Sequence, residues 1–294
     1  MSKNLLLILN PCSGKMKGLK HLTDICEIFY EADYTISLHT TTKSGDATEF
    51  VRLWGQQADL IVCVGGDGTF NEVVDGIMLG AVTTPIGYIP MGSTNDFASS
   101  LKIPKSWKKA AKAIVMGTPR RLDVCKFNER YFSYVASCGA FTKTSYSTPQ
   151  KLKNALGHLA YLLEGIKDIP SIKPIHMCVS VGDKVFEGDY IFAAFSNSTS
   201  MGGILKLDPK LVDMNDGLME IMLVPSPKNA GQLAKVLSCL QKKKYISPYL
   251  EFMSASNVSV VTNGDFDWSL DGEKYEGCQN ISIDMQSDAI TLIL

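Results

Sequence analysis

Leu60-Ile61-Val62-Cys63-Val64-Gly65-Gly66-Asp67-Gly68-Thr69-Phe70-Asn71-Glu72 is the stretch on which the fold turns. Its opening run is apolar without alternation, so residues 59–64 read as a strand buried on both faces. Gly65 to Gly68 reads as a turn, and 69–79 as a helix. Where a strand runs into a helix, backbone N–H groups are free and an anion is favoured. Glycines let the backbone approach a phosphate closely. Asp67 is a carboxylate where bare phosphate would not want one. It makes sense if it engages Mg²⁺ or a hydroxyl. The plainer alternative is a glycine-rich turn with a capping aspartate. The chain holds no GxxxxGK[ST] and no GxGxxG, so the common nucleotide loops do not account for it.

Working outward, residues 4–9 read as a buried strand ended by Asn10-Pro11. Residues 18–31 carry Leu19, Leu22, Ile25, Cys26 and Phe29 at helical spacing. A strand over 34–40, a helix over 46–54 capped near Ser44, and a strand over 86–89 complete the pattern. Four strands alternate with three helices, which predicts a parallel sheet covered on both faces. After Arg121 strands dominate. Asp123–Phe127 and Tyr131–Ser137 flank a hairpin signal at Asn128-Glu129-Arg130. Helices are predicted over 151–167 and 227–241, and strands over 175–181, 184–187, 189–196 and 217–224. Short strands then run through 249–294, broken by Asn263-Gly264 and Asp271-Gly272. The expected architecture is an N-terminal α/β domain with a parallel doubly wound sheet, then a β-rich antiparallel sandwich. We set the domains at 1–122 and 123–294, with a return of the last strand to the first domain left open.

Bulk properties remove several function classes. Net charge is −1, which gives no global pull toward nucleic acid or an anionic membrane. The eight cysteines are scattered without a CxxC pair, which suits reduced core residues in a cytoplasmic protein better than a disulfide framework. The four histidines form no HxxxH pattern, so nothing points to zinc. No window approaches the roughly 18 apolar residues of a spanning helix. Any membrane contact is therefore expected to be peripheral.

Two further turns lie at the edge marked by Gly65–Gly68. Asn10-Pro11-Cys12-Ser13-Gly14-Lys15 follows the first strand, and Lys15 is placed either to touch phosphate or to stay solvated. Pro90-Met91-Gly92-Ser93-Thr94-Asn95-Asp96 follows the fourth. In open α/β sheets, ligands bind at that edge.

Together these segments resemble the diacylglycerol kinase catalytic domain family, in its bacterial soluble branch. The resemblance rests on Asn10–Lys15, Thr41 before Gly45-Asp46-Ala47, GGDGTFNEVVDG at 65–76 and MGSTNDFA at 91–98. It continues in Asp213-Met214-Asn215-Asp216-Gly217-Leu218 and Leu270-Asp271-Gly272-Glu273. It implies a fold like that of NAD kinases and diacylglycerol kinases, with ATP and Mg²⁺ as cofactors. The implied ATP contacts are Asn10, Pro11, Cys12, Ser13, Gly14, Thr41, Gly65, Gly66, Asp67, Gly68, Thr69, Phe70, Asn71, Ser93, Thr94 and Asp96. Asp67 and Asp96 would organise Mg²⁺ and water, and Asp271 and Glu273 supply the general base. Glu273 ranks first, Asp271 next, and Asp67 third. Asp216, with the backbone carbonyls of Asp213 and Leu218, resembles a structural Mg²⁺ site; a plain turn is the alternative. Cys12 departs from the hydroxyl or small residue common there, which matters little if the backbone makes the contact.

The implied reaction moves the γ-phosphate of ATP to a lipid hydroxyl, diacylglycerol giving phosphatidic acid, in the cleft between the domains. The rival readings are an NAD kinase and a non-catalytic nucleotide- or lipid-binding regulator. Met91–Asp96 stands where an NAD kinase would carry a glycine-rich segment. Asp67, Asp96, Asp271 and Glu273 together exceed what a binding module needs. The acceptor would be taken from a membrane surface, with no role for nucleic acid. Lys102, Lys105, Lys108, Lys109 and Lys112, with Arg120 and Arg121, and Lys242-Lys243-Lys244 are candidate contacts; solvated helix faces are the bland alternative. The apolar residues of 152–163 would line a lipid entrance or belong to the core. Paired sheets in the second domain leave a homodimer open.

Overall fold

In the computed structural model, residues 2–14, 16–139, 173–201, 205–245, 247–264 and 266–294 are described. Lys15, the helix expected over 151–167 and its apolar stripe at 152–163 lie outside them. The chain divides into two compact units. One runs to Val124 and also takes Arg130–Ser133 and Gln286–Leu294; the other takes Cys125–Glu129 and Tyr134–Met285.

The first unit alternates strand with helix. Its elements are β1 (Lys3–Leu9), α1 (Lys17–Lys20), α2 (Leu22–Glu31), β2 (Tyr34–Thr40), α3 (Asp46–Trp54), β3 (Leu60–Gly65), α4 (Asp67–Gly80), β4 (Ile86–Pro90), α5 (Asp96–Ser100) and α6 (Trp107–Met116). β1 pairs in parallel with β2 and β3, and β3 pairs in parallel with β4. All four strands therefore end at one edge, where their outgoing turns gather. Apolar runs form the central strands because helices cover both faces. Leu5, Leu7, Leu9, Val62 and Val64 cluster with Ile25 and Phe29 of α2 and with Ala110, Ala111 and Ile114 of α6. On the α3–α4 side, a Cβ on Gly76 would stand 2.6 Å from the Thr48 carbonyl oxygen, so only glycine permits that approach.

The remaining elements are β5 (Pro119–Phe127), β6 (Arg130–Phe132), β7 (Val135–Gly139), β8 (Ile175–Val181), β9 (Lys184–Ser196), β10 (Ser200–Met201), β11 (Leu205–Lys206), β12 (Met219–Pro225), α7 (Ala230–Gln241), β13 (Glu251–Ala255), β14 (Asn257–Thr262), β15 (Trp268–Leu270), β16 (Glu273–Tyr275) and β17 (Asn280–Ile293). The second unit is an antiparallel β-sandwich. Its strands run β16-β15-β7-β9-β8-β14-β17, with β12 paired to β9 and β13 to β12. Trp268 anchors its aromatic core, 5.0 Å from Phe127 and 6.0 Å from Phe195 between ring centres. The end of β17 belongs to the first unit, where Leu292 pairs in parallel with Ile86. Leu294 and Thr118 exchange backbone hydrogen bonds of 2.9 and 3.1 Å there.

Several elements differ from their expected bounds. The helix expected from residue 69 begins at Asp67, because Gly66 is the last extended residue at ψ −174°. Ser44 does not cap α3. Gly45 holds that position at φ +85°, and the Ser44 hydroxyl donates to Glu72 instead. The helix expected over 18–31 breaks at His21, whose ring stacks on Trp107 at 4.6 Å. The strand expected to break at Gly188 is continuous, since Gly188 pairs in register with Met177. β5 starts at exposed Pro119 rather than Asp123, and no burial pattern marks that start. β17 is one long strand rather than several short ones. Asp288 sits at φ +54° within it, and its N–H donates to the buried Asp123 carboxylate at 2.8 Å. Among the described residues, no helix is long and apolar enough to cross a membrane.

Candidate functional site

Three turns at the strand-end edge of the first unit are tied together by hydrogen bonds. After β1, the Asn10 side chain donates to the Thr69 hydroxyl of α4 at 2.9 Å and accepts the Cys12 N–H at 3.0 Å. The Asn10 N–H reaches the Val64 carbonyl at 3.0 Å. Gly14, at φ +55°, adopts a backbone that a side chain would strain. Thr41 follows β2 and donates its N–H to Leu9 at 2.9 Å. Asn10 to Gly14, Thr41 and the start of α4 thus share one rim.

The turns after β3 and β4 touch through their glycines. A Cβ on Gly92 would stand 2.7 Å from the Gly66 Cα, and the Met91 N–H donates to the Gly65 carbonyl at 2.6 Å. Asn95, at φ +53°, closes the second turn with side-chain bonds to the Gly92 N–H and carbonyl at 2.9 and 3.0 Å. Gly66 has no capping side chain, so the first N–H groups of α4 remain available to an anion.

Asp67 occupies the first position of α4, yet its carboxylate serves another helix. Oδ2 accepts the Asp96 N–H at 3.1 Å and Oδ1 the Phe97 N–H at 3.4 Å. The carboxylate therefore caps α5 and clamps the two turns. Burial, and then the nearby Asp96 charge, push its pKa up to about 6. Beneath it, Phe70 stacks on Phe97 at 4.4 Å and lies 4.6 Å from Tyr88. The Tyr88 hydroxyl is buried without a hydrogen-bond partner and feels the Asp67 charge. Sequence reading missed Tyr88, although an aromatic within the apolar strand leading to this turn was its one available signal.

Not every sequence candidate presents a side chain to this edge. Phe70 is fully buried, and Asn71 is buried with its side-chain Oδ1 accepting the Ser133 hydroxyl at 3.0 Å. Their contribution to a ligand would come through the backbone. Ser93 and Thr94 line a cavity of about 310 Å³ with Met91, Ile103, Lys105 and Trp107.

The second unit holds the other carboxylates. Asp271 lies at the β15–β16 turn with φ +51°, and Gly272 follows at φ +85°. Asp271 is buried, and its Oδ1 accepts the N–H groups of Tyr134 and Val135 at 3.0 and 2.9 Å. It is a positioning group for the backbone. Glu273, two residues on in β16, is only half-buried. The structure thus separates two carboxylates that the sequence left as near equals.

Asp213 and Asp216 shape the turn before β12. Their Oδ1 atoms accept the Asn215 and Leu218 N–H groups at 3.2 and 3.0 Å. Glu220 of β12, missed by sequence reading, is 1% exposed, and its Oε2 has no partner. Burial first, then the charges of Asp216 and Asp213, raise its pKa to about 8. Among the described residues, no three His, Cys, Asp or Glu side chains converge on a point. The excess negative charge and the orphaned oxygen nevertheless fit a hard cation completed by backbone carbonyls. A glutamate inside the apolar run Met219–Val224 was the signal.

Residues 4–127 match the family described as diacylglycerol kinase catalytic domain. Residues 137–294 match the YegS C-terminal NAD kinase beta sandwich-like domain. A diacylglycerol kinase of Bacillus subtilis is 35% identical over 91% of this chain and 88% of its own. One from Staphylococcus saprophyticus is 33% identical over 93% of this chain and 90% of its own. A crystal structure of a putative diacylglycerol kinase from Bacillus anthracis superimposes with a TM-score of 0.82. It covers 99% of this chain and 97% of that chain at 24% identity, a likeness of fold alone.

Proposed function

Because the chain belongs to the diacylglycerol kinase family, we propose that it is an ATP-dependent lipid kinase whose acceptor is diacylglycerol and whose product is phosphatidic acid. The observation that carries this is the clamp of Asp67 on α5 beside the uncapped start of α4. That arrangement offers N–H groups to a polyphosphate while holding two polar turns at fixed spacing.

The acceptor hydroxyl oxygen bonds to the γ-phosphorus, the bond from that phosphorus to the bridging oxygen breaks, and ADP leaves. Asn10–Gly14, Thr41 and Gly65–Thr69 bind and orient ATP. Ser93 and Thr94 supply hydroxyls, and Asp96 a carboxylate, beside the phosphates. Holding donor and acceptor in line is the main part of such catalysis. Glu273 takes the hydroxyl proton, since Asp271 is committed to two backbone N–H groups. The Mg²⁺ accompanying ATP would neutralise phosphate charge, with Asp67 and Asp96 the carboxylates nearest to hand. A structural Mg²⁺ would be held by Asp216 with the carbonyls of Asp213 and Leu218, offsetting the negative field around Glu220. The acceptor is reached from a bilayer surface, on the cytoplasmic side.

Incubation with radiolabelled ATP, Mg²⁺ and dioctanoylglycerol, with products separated and weighed by mass spectrometry, tests this. Labelled phosphatidic acid that is absent with Asp67→Ala is expected. Phosphorylation of NAD, or of no lipid among diacylglycerol, monoacylglycerol, ceramide, sphingosine and phosphatidylglycerol, overturns it.

A further inference from the structure

The helix α6 presents two chemically distinct faces. Ala110, Ala111 and Ile114 are buried in the core of the first unit. Lys108, Lys109, Lys112, Val115 and Met116 are exposed on the opposite face, at helical spacing. Lys102 and Lys105, just before the helix, are also exposed. Residues 101–122 contain five lysines and two arginines and no acidic residue, in a chain whose net charge is −1. The basic excess is therefore local. Among the described residues, none of the five lysines enters an ion pair, whereas Arg121 reaches Asp288 at 3.7 Å.

The apolar end of the stripe narrows the choice of partner. Met116 is 83% exposed and Val115 is 37% exposed beside the lysines. Lysine stems and a methionine together suit an anionic bilayer, where charges meet headgroups and apolar tips enter the boundary. A single-stranded nucleic acid would satisfy the lysines but needs aromatic platforms. The segment has one aromatic residue, Trp107, and that ring is stacked on His21.

We infer that the outer face of α6, with Lys102, Lys105, Lys108, Lys109, Lys112 and Met116, docks this protein on an anionic phospholipid surface. The choice of a bilayer as partner rests on the lipid-kinase reading above. The start of the helix lies beside the Met91–Asp96 turn, since Lys105 and Trp107 line one cavity with Ser93 and Thr94, so docking would fix the polar edge of the first unit relative to the surface.

Co-sedimentation with phosphatidylcholine vesicles, with and without phosphatidylglycerol, measures the docking without reference to catalysis. The wild type is expected to prefer the anionic vesicles and to lose that preference as salt is raised. Lys108→Gln, Lys109→Gln and Lys112→Gln together are expected to lower partitioning on the order of 100-fold. The charge-matched control Lys173→Gln, Lys184→Gln and Lys210→Gln is expected to change it less than about threefold. Phosphorylation of dispersed short-chain diacylglycerol is expected to be equal in all three proteins. The inference is overturned by absence of an anionic preference in the wild type, or by equal losses in the two triple variants. Loss of binding to single-stranded RNA with unchanged vesicle binding overturns it too. Absent turnover on every lipid overturns the kinase reading instead, and the vesicle measurement still decides the docking.

Discussion

The Asp67 carboxylate accepts the backbone N–H of Asp96 at 3.1 Å, so a residue at the start of one helix caps the start of another. Asp67→Ala would leave the Asp96 and Phe97 N–H groups without that acceptor and free the two turns from each other. Turnover is expected to fall at least ~100-fold, and the ATP dissociation constant to rise. Steady-state kinetics and calorimetry read both. Unchanged ATP affinity with unchanged turnover would remove the clamp from the mechanism.

The same carboxylate makes a signed prediction about pH. Its folded pKa of about 6 lies above the ordinary value of 3.8. Between these two pH values the folded state binds more protons than the unfolded chain. Stability from this group is thus present below the lower value and lost as pH rises through the upper one. Asp67→Asn cannot titrate. The melting temperature of Asp67→Asn minus that of the wild type, without Mg²⁺, is expected to rise between about pH 4 and 6 and then level off. A difference that falls across that window refutes the assignment.

How much of this was legible in the sequence depends on the range of each interaction. β1 and β3 were readable because strands covered on both faces become apolar runs, and α2 because Ile25 and Phe29 repeat at helical spacing. The polar turns were readable because Gly65, Gly66 and Gly92 mark close backbone approach. The partner of Asp67 was not, since it lies 29 residues away and is a backbone N–H that any residue would offer. Glu220 was overlooked because acid in a strand normally marks a solvated face, and here that face is buried. The Asp271–Glu273 pair could not be ranked by geometry from sequence, since the difference comes from Tyr134 and Val135, over 130 residues away.

The glycine contact between the two turns is a separate handle. A Cβ at Gly92 would stand 2.7 Å from the Gly66 Cα and 2.7 Å from Asn95 Oδ1. Gly92→Ala is expected to cost about 1–3 kcal/mol of stability and to raise the KM for ATP more than ~10-fold, because the turns must separate. Gly182→Ala is the comparison. It has nothing within 4 Å and only a φ of +55° to strain. It should cost about 1–2 kcal/mol and leave KM alone. Equal KM values for both variants would show that the approach of Gly66 and Gly92 does not shape the site.

A cation at the turn before β12 predicts a linkage between Mg²⁺ and melting temperature. Ligand that binds only the folded state raises stability by about 1.4 kcal/mol for each tenfold excess over its dissociation constant. Millimolar Mg²⁺ is expected to raise the wild-type melting temperature in the absence of nucleotide, and Asp216→Ala to abolish the rise. Glu220→Gln cannot titrate, and its melting temperature minus that of the wild type, without metal, is expected to rise between about pH 4.5 and 8 and then level off, because burial lifts Glu220 from 4.5 to about 8. A Mg²⁺ effect that survives Asp216→Ala would move the cation elsewhere.

Glu273 and Asp271 can be separated by pairing activity with stability. Glu273→Gln keeps the shape of the side chain but cannot accept a proton at the same oxygen. Turnover is expected to fall by about 10²–10⁴, with the melting temperature unchanged. Asp271→Ala instead leaves the buried Tyr134 and Val135 N–H groups unsatisfied, at about 1–3 kcal/mol each. It also places alanine at φ +51°. Its melting temperature is expected to drop by several degrees, and its turnover loss to follow from displacement of the turn. Asp271→Asn retains an oxygen to accept both N–H groups and should recover most of the stability and much of the rate. If Asp271→Asn is as inactive as Glu273→Gln while melting like the wild type, the proton acceptor is Asp271.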